Sequence, residues 1–350
     1  HNLYSLSGAP VRSGLQLSKH IDEALIHFGN EVEVSFGCHH WPTWGNAAIR
    51  DLFEKQRDVY RFIHDQTLRL ANHGYTMNEI AEMLVLPRVL SHCFHNRGTF
   101  GSINQNVKAQ YQLYFGTFDG NPSNLNTLPP REESIRYVEY MGGTETVLKR
   151  AFVSYEKGDF RWVATVLKHV IFADPSNRTA RNLLARTYTQ LGFQAESGVW
   201  RNFYLSGAQE ILGGVRQTVI PQALNRDMIV SMSLSCFFDL FAVCVNGVKA
   251  SGLPNSIFHV KLTDKMHGHV TLMLSNGVLI PRVNPHGPGL ACSAIISAPR
   301  ELFERIILRE TTFQQAMQEG KASVEGDLNL WIKFLDSLEA FSFWFNLVEP

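Results

Sequence analysis

At 350 residues the chain exceeds the roughly 250–300 at which single cores stop growing, so two or three domains are expected. Hydrophobic residues make up 45% and charged residues 18%, a globular composition and not a disordered one. Formal charge is zero, 32 basic against 32 acidic residues, which excludes electrostatic capture by nucleic acid or an acidic membrane and leaves specific sites to define the partners.

The chain opens at His1 in mid-pattern, with no methionine, basic stretch or cleavage site, so it reads as a fragment whose compartment is open. Region one runs from residue 1 to 45. Val32-Glu-Val-Ser-Phe36 alternates as a strand does and runs into Gly37-Cys-His-His-Trp-Pro42, which puts two histidines just past a strand end, where α/β enzymes place chemistry.

Region two, residues 46–214, predicts helices. Leu52, Val59, Ile63 and Leu70 recur at helical spacing, and His73-Gly74 closes that helix. Thr76-Met-Asn-Glu79 is a capping box opening a second helix that stops before Pro87. The stretch Asp119-Gly-Asn-Pro-Ser-Asn-Leu-Asn-Thr-Leu-Pro-Pro130 is a polar loop. Ala151 and Gly158 then return as Ala185 and Gly192, a shift of 34 in both cases (185 minus 151, 192 minus 158), with Asp174-Pro175 between them: the tetratricopeptide period. Two such units cannot stand alone as a solenoid, so they are expected to pack on neighbours or on a second subunit.

Region three, residues 215–350, changes character. Met228–Val248 is apolar enough to test as a membrane span, but Asp239, Asn246 and three serines interrupt it, and the spacing predicts a half-buried helix of a globular protein instead. Strands are predicted over Ser256–Leu262, His269–Leu274, Val278–Val283 and Cys292–Ser297, then a helix from Pro299 and a last one whose Leu330, Ile332, Leu335 and Leu338 face inward. The fold expected is a mostly antiparallel sheet with helices on one face. Phe237, Phe238, Leu240, Phe241, Leu274, Phe341 and Phe345 line a cavity for an alkyl tail, or simply fill the core. The five cysteines are scattered, with no C-x-x-C, and read as buried free thiols; Trp162, Trp200, Trp331 and Trp344 read as core. His267 and His269, on one strand face, read as a solvated pair.

Several long strings go further. Cys38-His-His-Trp-Pro-Thr-Trp-Gly45, Lys55-Gln-Arg-Asp58, Tyr60-Arg-Phe-Ile-His-Asp-Gln66, Asp119-Gly-Asn-Pro122 and Trp200-Arg-Asn-Phe-Tyr204, in this order, resemble the alkyl sulfatases of the metallo-β-lactamase superfamily. The resemblance implies the end of an αββα metallo-β-lactamase domain over residues 1–45, an all-α, tetratricopeptide-like dimerisation domain over 46–214, and an α+β sterol-carrier-protein-like domain over 215–350. It implies a homodimer that hydrolyses linear alkyl sulfates such as dodecyl sulfate at a binuclear zinc site, with no nucleic acid partner. Most zinc ligands of the family come from an H-x-H-x-D-H string and two glutamates; this chain contains no H-x-H-x-D-H.

By the same resemblance His39 is the one metal ligand present and His40 its support, and a single imidazole does not hold zinc at useful affinity. The family commonly carries an arginine where this chain has Ser7, in the segment matching Leu3–Ala9; Arg12 partly replaces it as a guanidinium for sulfate, and Asn2 belongs to the same segment. Tyr111 and Tyr114 match a segment that offers a phenol to the sulfate, Tyr111 being favoured, although their spacing equally fits a helix face in the core. The competing expectation is a non-catalytic remnant that dimerises or binds lipid.

Overall fold

The computed structural model describes residues 1–6, 8–216, 226–264, 268–285, 291–342 and 344–350. Ser7 and His267, and the expectations attached to them, lie outside the described residues. Two compact units emerge: His1–Arg216 with Asn346–Pro350, and Gln217–Phe345.

The first unit begins with α1 (Gly14–Phe28), whose Ser13 side chain accepts a hydrogen bond from the Gln16 amide. The antiparallel hairpin β1 (Val34–Gly37) and β2 (His40–Trp44) follows, with Gly37 facing His40 across the ladder. Sequence alternation gave the first strand; the second strand contains Pro42, which a two-stranded ribbon tolerates because every strand in it is an edge. The Asn46 amide donates to the carbonyls of Gly29 (2.7 Å) and Val32 (3.3 Å), pinning the end of α1 and the entry to β1 onto the start of α2 (Asn46–Ala71).

The helix α2 starts earlier than its apolar periodicity shows and ends before Gly74, whose φ of +87° is left-handed. The predicted capping box opens α3 (Met77–Met83). α4 (Arg88–Ser91) and α5 (Ile103–Phe115) complete a core centred on Leu3, Val59, Ile63, Ile80 and Val107. α6 (Pro130–Tyr140), α7 (Thr144–Glu156), α8 (Phe160–Ala173), α9 (Arg178–Gln194) and α10 (Gly198–Gly213) form a second core.

The two repeats are only partly equivalent. Ala151 and Ala185 are both buried in their helices, but Gly158 makes the turn after α7 (φ +79°), while Gly192 lies inside α9 with the Leu205 side chain 2.9 Å from where a Cβ would stand. The last residues return to this unit: Glu210 accepts hydrogen bonds from the amides of Leu347 (2.6 Å) and Val348 (2.9 Å), and Arg181 pairs with Glu349. Trp162, expected in the core, is exposed.

In the second unit the helix predicted over 228–248 is broken into α11 (Arg226–Ser231), α12 (Leu234–Val243) and α13 (Gly247–Ala250). Ser233 and Asn246 break it, because each side chain accepts a hydrogen bond from a backbone amide three residues on and starts a new helix. No helix among the described residues is long and apolar enough to cross a membrane.

The strands β3 (Ser256–Leu262), β4 (His269–Ser275), β5 (Val278–Val283), β6 (Ala294–Ala298) and β7 (Ser323–Gly326) form, among the described residues, a five-stranded sheet of order β5-β4-β3-β6-β7, in which only the β3–β6 pairing is parallel. Asn276-Gly277, both at positive φ, make the β4–β5 turn, and a Cβ on Gly277 would stand 2.4 Å from the Gly247 carbonyl oxygen. β7 escaped the sequence reading because its Ser-Val-Glu-Gly offers a single apolar residue.

α14 (Arg300–Ile307), α15 (Phe313–Gln318) and α16 (Leu328–Leu335) close the core. α16 turns Trp331 and Phe334 fully inward, while the expected Leu330, Ile332 and Leu335 are half-buried. Phe238, Phe241, Phe303, Phe258, Trp331 and Phe334 pack ring against ring at 5.1–6.5 Å, so Phe237, Phe238 and Phe241 fill a core. Phe341 and Phe345 are exposed and not part of that core. Of the five cysteines only Cys244 is buried. Buried Arg300 pairs with buried Glu304 (2.7 Å) and donates to the Ile229 carbonyl (2.9 Å), fastening α11 to α14.

His169, buried on α8, meets the Ser134 hydroxyl at 3.1 Å and lies against the Tyr137 ring. Burial holds its imidazole below the ordinary range, with the Lys168 charge adding to the effect. The folded state therefore favours neutral His169, and its contribution to stability is fully present above the unfolded pKa and is lost as the pH falls from there through the lowered folded pKa. Between about pH 7 and 5 the unfolding free energy of the native chain is expected to fall more steeply than that of His169→Gln, measured by urea denaturation; parallel profiles contradict it.

Candidate functional site

The N-terminal segment has little regular structure and is held from outside by buried amides of α5. Asn106 Oδ1 accepts from the Leu3 amide (2.8 Å), Gln110 Oε1 accepts from the Gly14 amide (2.8 Å), and Gln110 Nε2 donates to the Arg12 carbonyl (2.8 Å). Gln105 donates to the Tyr4 carbonyl while its Oε1 accepts from the Trp200 indole (2.9 Å). All three amides are at most 4% exposed, and each satisfies backbone groups that would otherwise be buried unpaired.

The segment so held forms one wall of a cleft of about 470 Å³ within the first unit. Leu17 and Ile21 of α1, Phe36 of β1, Trp41 of β2, Leu52 and Phe53 of α2, and Phe94 and Phe100 beyond it make the cleft largely apolar. His1, Asn2, Ser35, His39, Gln56, Tyr60, His95, Arg97 and Thr99 are its polar residues.

His39 sits in the two-residue turn between β1 and β2, exposed, with its ring stacked on Phe100 at 5.1 Å and 16°. A hairpin tip carries the imidazole out from the ribbon, and the phenyl face fixes its plane. Gln56 donates to the His95 carbonyl (2.8 Å) and the Asn96 amide oxygen (2.7 Å), holding the opposite rim.

Asn2 lines the same cleft, and the exposed Arg12 guanidinium donates to its backbone carbonyl at 3.3 Å. The Asn2 side chain, turned so that both ends are satisfied, donates to the Tyr4 carbonyl (2.8 Å) and accepts from Ser5 Oγ (3.0 Å) and Arg12 (3.2 Å). Burial pushes the Tyr60 phenol up, while a backbone hydrogen bond with Asn2 and the Arg12 charge pull it part of the way back, so Tyr60 faces the cleft as a neutral hydroxyl. Arg97 also lines the cleft, paired with Glu196 at 2.7 Å.

Of the residues singled out in the sequence, Asn2 and His39 line one cleft, and Arg12 reaches it through Asn2. Tyr111 and Tyr114 do not line it. Tyr111 borders a different hollow, with Thr76, Met77, Asn78 and Phe118, and leans on Phe115 at 5.0 Å. The Tyr114 hydroxyl meets His64 Nε2 at 2.9 Å, and His64 Nδ1 meets Asp65 at 2.7 Å. Tyr60 and Gln56 fall inside strings quoted for the resemblance without being singled out. The buried amides of α5 carried a signal: Asn106 and Gln110 are four apart, on the helical face that also holds Val107.

Among the described residues no group of three or more His, Cys, Asp or Glu side chains is placed to hold a metal ion. The described residues therefore do not by themselves group a zinc centre. His39 is a single exposed donor.

A family model for alkyl sulfatase dimerisation matches residues 76–214, and one for the alkyl sulfatase C-terminal domain matches residues 222–350. A linear primary-alkylsulfatase of a Pseudomonas species is 45% identical over the whole of this chain and 51% of its own length. An alkyl/aryl-sulfatase of Saccharomyces cerevisiae is 40% identical over the whole chain and 53% of its own length. The solved structure of a stereoselective inverting secondary alkylsulfatase from Pseudomonas superposes with a TM-score of 0.93 at 35% identity, covering all of this chain and 54% of that one. The chain thus spans about half the length of the relatives it matches.

The α5 amides are the feature most open to test. Gln110→Leu leaves the Gly14 amide and the Arg12 carbonyl without partners, and is expected to cost about 1–3 kcal/mol in thermal unfolding and to speed hydrogen exchange across residues 2–14. An unchanged exchange rate there contradicts the clamp.

Proposed function

Because the chain belongs to the alkyl sulfatase family, we propose that the protein it is part of hydrolyses linear alkyl sulfates of the dodecyl sulfate type, turning R–O–SO₃⁻ and water into the alcohol and hydrogen sulfate. The observation that carries this reading is the cleft itself: an apolar trough with the exposed His39 imidazole at the hairpin tip and the Asn2 amide, backed by the Arg12 guanidinium, elsewhere on its wall. An amphiphile with a single anionic head and a hydrocarbon tail is the ligand such a surface suits.

In this reading the tail lies against Leu17, Ile21, Phe53 and Phe100, where about 25 cal/mol per Å² of apolar area is gained on leaving water. Arg12 and the Asn2 amide face the sulfate and hold it by charge-assisted hydrogen bonds. The Tyr60 hydroxyl, kept neutral by its surroundings, donates to the ester or sulfate oxygens rather than repelling them. Whether the bond broken is sulfur–oxygen or carbon–oxygen, the products balance in the same way.

The zinc pair expected by resemblance needs donors beyond those described, and the half of the relatives' length that this chain does not span is where they are sought. His39 contributes one ligand to that pair, and His40 its support. The residues matched by the dimerisation model assemble two copies into a homodimer, with the helix pairs α7–α8 and α9–α10 as tetratricopeptide-like units. The sheet unit is the sterol-carrier-like domain, and its ring-packed core suits orienting or delivering substrate more than enclosing it.

Arg12 separates this reading from a merely structural role for the cleft. In a protein of the relatives' full length, Arg12→Ala is expected to raise KM for decyl sulfate by about tenfold, with a smaller effect on kcat, since a lost charge-assisted hydrogen bond is worth about 1.5–3 kcal/mol in binding. An unchanged KM means that the sulfate is held elsewhere.

A further inference from the structure

His1 lines the cleft beside Asn2 and is half-buried, and both nitrogens of its ring are engaged. Nε2 meets the Asn96 backbone carbonyl at 3.0 Å, and Nδ1 meets the Asn106 side-chain Nδ2 at 2.6 Å. Asn96 and Asn106 are almost completely buried, and each is locked by further bonds of its own. The Asn96 side chain donates to the Leu90 carbonyl (3.1 Å) and accepts from Gln56 (2.7 Å). Asn106 Oδ1 accepts from the Leu3 amide, which leaves Nδ2 as the end that faces the ring.

These partners dictate where the ring carries its proton. A carbonyl only accepts, so Nε2 is the protonated nitrogen; an amide NH₂ only donates, so Nδ1 is bare. His1 is thus held as one neutral tautomer. An imidazolium would set Nδ1–H against the Asn106 NH₂, and turning that amide over would set the NH₂ against the Leu3 N–H. Gly101 completes the seat: a Cβ there would collide with the His1 carbonyl oxygen and stand 3.1 Å from Asn2 Cα. The peptide that leads into Asn2 is therefore fixed from the ring side and from the main-chain side. The Asn2 main chain is in turn where two other elements meet, since its carbonyl accepts from Arg12 (3.3 Å) and it shares a backbone hydrogen bond with Tyr60.

We propose that His1 is a positioning residue for sulfate binding: its ring sets the Asn2 backbone and, through it, the Arg12 guanidinium and the Tyr60 hydroxyl that face the anion. This rests on the alkyl sulfate reading of the cleft and adds the group that aligns its anion site. His1 acts through Asn2 and not on the sulfate itself, because both ring nitrogens are already bonded to Asn96 and Asn106. Donors aligned in advance need no reordering when the anion arrives, so loss of the ring weakens substrate binding more than it slows turnover.

The test compares two substitutions in a protein of the relatives' full length. His1→Phe keeps a ring and removes both of its hydrogen bonds, whereas His1→Gln keeps an amide able to donate to the Asn96 carbonyl. With decyl sulfate, His1→Phe is expected to raise KM by about tenfold with a smaller change in kcat, and His1→Gln to recover most of that rise. Unchanged KM in folded His1→Phe overturns the positioning role, and so does a rise that His1→Gln shares in full. Arg12→Ala, measured alongside, tells the two failures apart. A raised KM there beside an unchanged one in His1→Phe removes His1 and keeps the anion site, while two unchanged values remove the anion site as well. Should His1→Phe not fold, nitrogen-15 NMR of the native protein decides. The His1 ring should show the Nε2–H tautomer alone, and decanesulfonate, an alkyl anion with no ester bond to cleave, should shift the Asn2 and Arg12 side-chain signals. A ring that exchanges between tautomers, or Asn2 and Arg12 signals unmoved by the anion, contradicts the proposal.

Discussion

The architecture of the first unit depends on three side-chain amides placed where a helix would ordinarily carry hydrocarbon. Gln105, Asn106 and Gln110 turn one face of α5 into a row of hydrogen-bond partners for the backbone of residues 3–14, a segment with no sheet of its own to bond to. Backbone amides and carbonyls buried without partners would each cost about 1–3 kcal/mol, so the segment can lie inside the unit only because α5 supplies partners for them. With it come the capped start of α1, the Arg12 guanidinium and the Asn2 carbonyl it bonds to. One wall of the cleft is therefore set by the helical body rather than by the segment itself.

The second constraint is the hairpin. Asn46 ties the end of α1 and the entry to β1 to the first turn of α2, and the two-residue turn between the strands then projects His39 over the cleft, where Phe100 stacks on it. The imidazole's plane is set by this packing against the phenyl ring. The carboxylates and imidazoles that would complete a metal centre are not grouped here among the described residues. What the described residues offer is a shaped, mostly apolar cleft with a few polar side chains among its lining.

Much of this was legible in the residues. The long strings around Cys38–Gly45 and Trp200–Tyr204 identified the family, and the capping box at Thr76, the left-handed Gly74 and the Asn276-Gly277 turn each did locally what their chemistry demands. Other features were hidden for identifiable reasons. The apolar run over 228–248 read as one helix because periodicity is blind to side chains that cap in mid-run, as Ser233 and Asn246 do. β7 was too short and polar to alternate, and the inward face of α16 is set by Trp331 and Phe334, one residue out of phase with the leucines that suggested it. Gly158 and Gly192 share a position in the repeat, yet one makes a turn and the other admits Leu205. The family segment that pointed to Tyr111 and Tyr114 also contains Asn106 and Gln110, and it is these amides that hold the wall of the cleft, because burial and partners are properties of the fold and not of the string.

If the hairpin tip is the chemical end of this cleft, its imidazole must matter to turnover far more than to folding. The decisive measurement is kcat for decyl sulfate hydrolysis, with thermal unfolding in parallel, for His39→Ala in a protein of the relatives' full length. A fall of at least the ~10–100-fold typical even of groups one shell removed from a metal, with the unfolding midpoint unchanged, is the predicted result. Turnover within twofold of the native protein would remove His39 from the site and the proposed chemistry from this cleft.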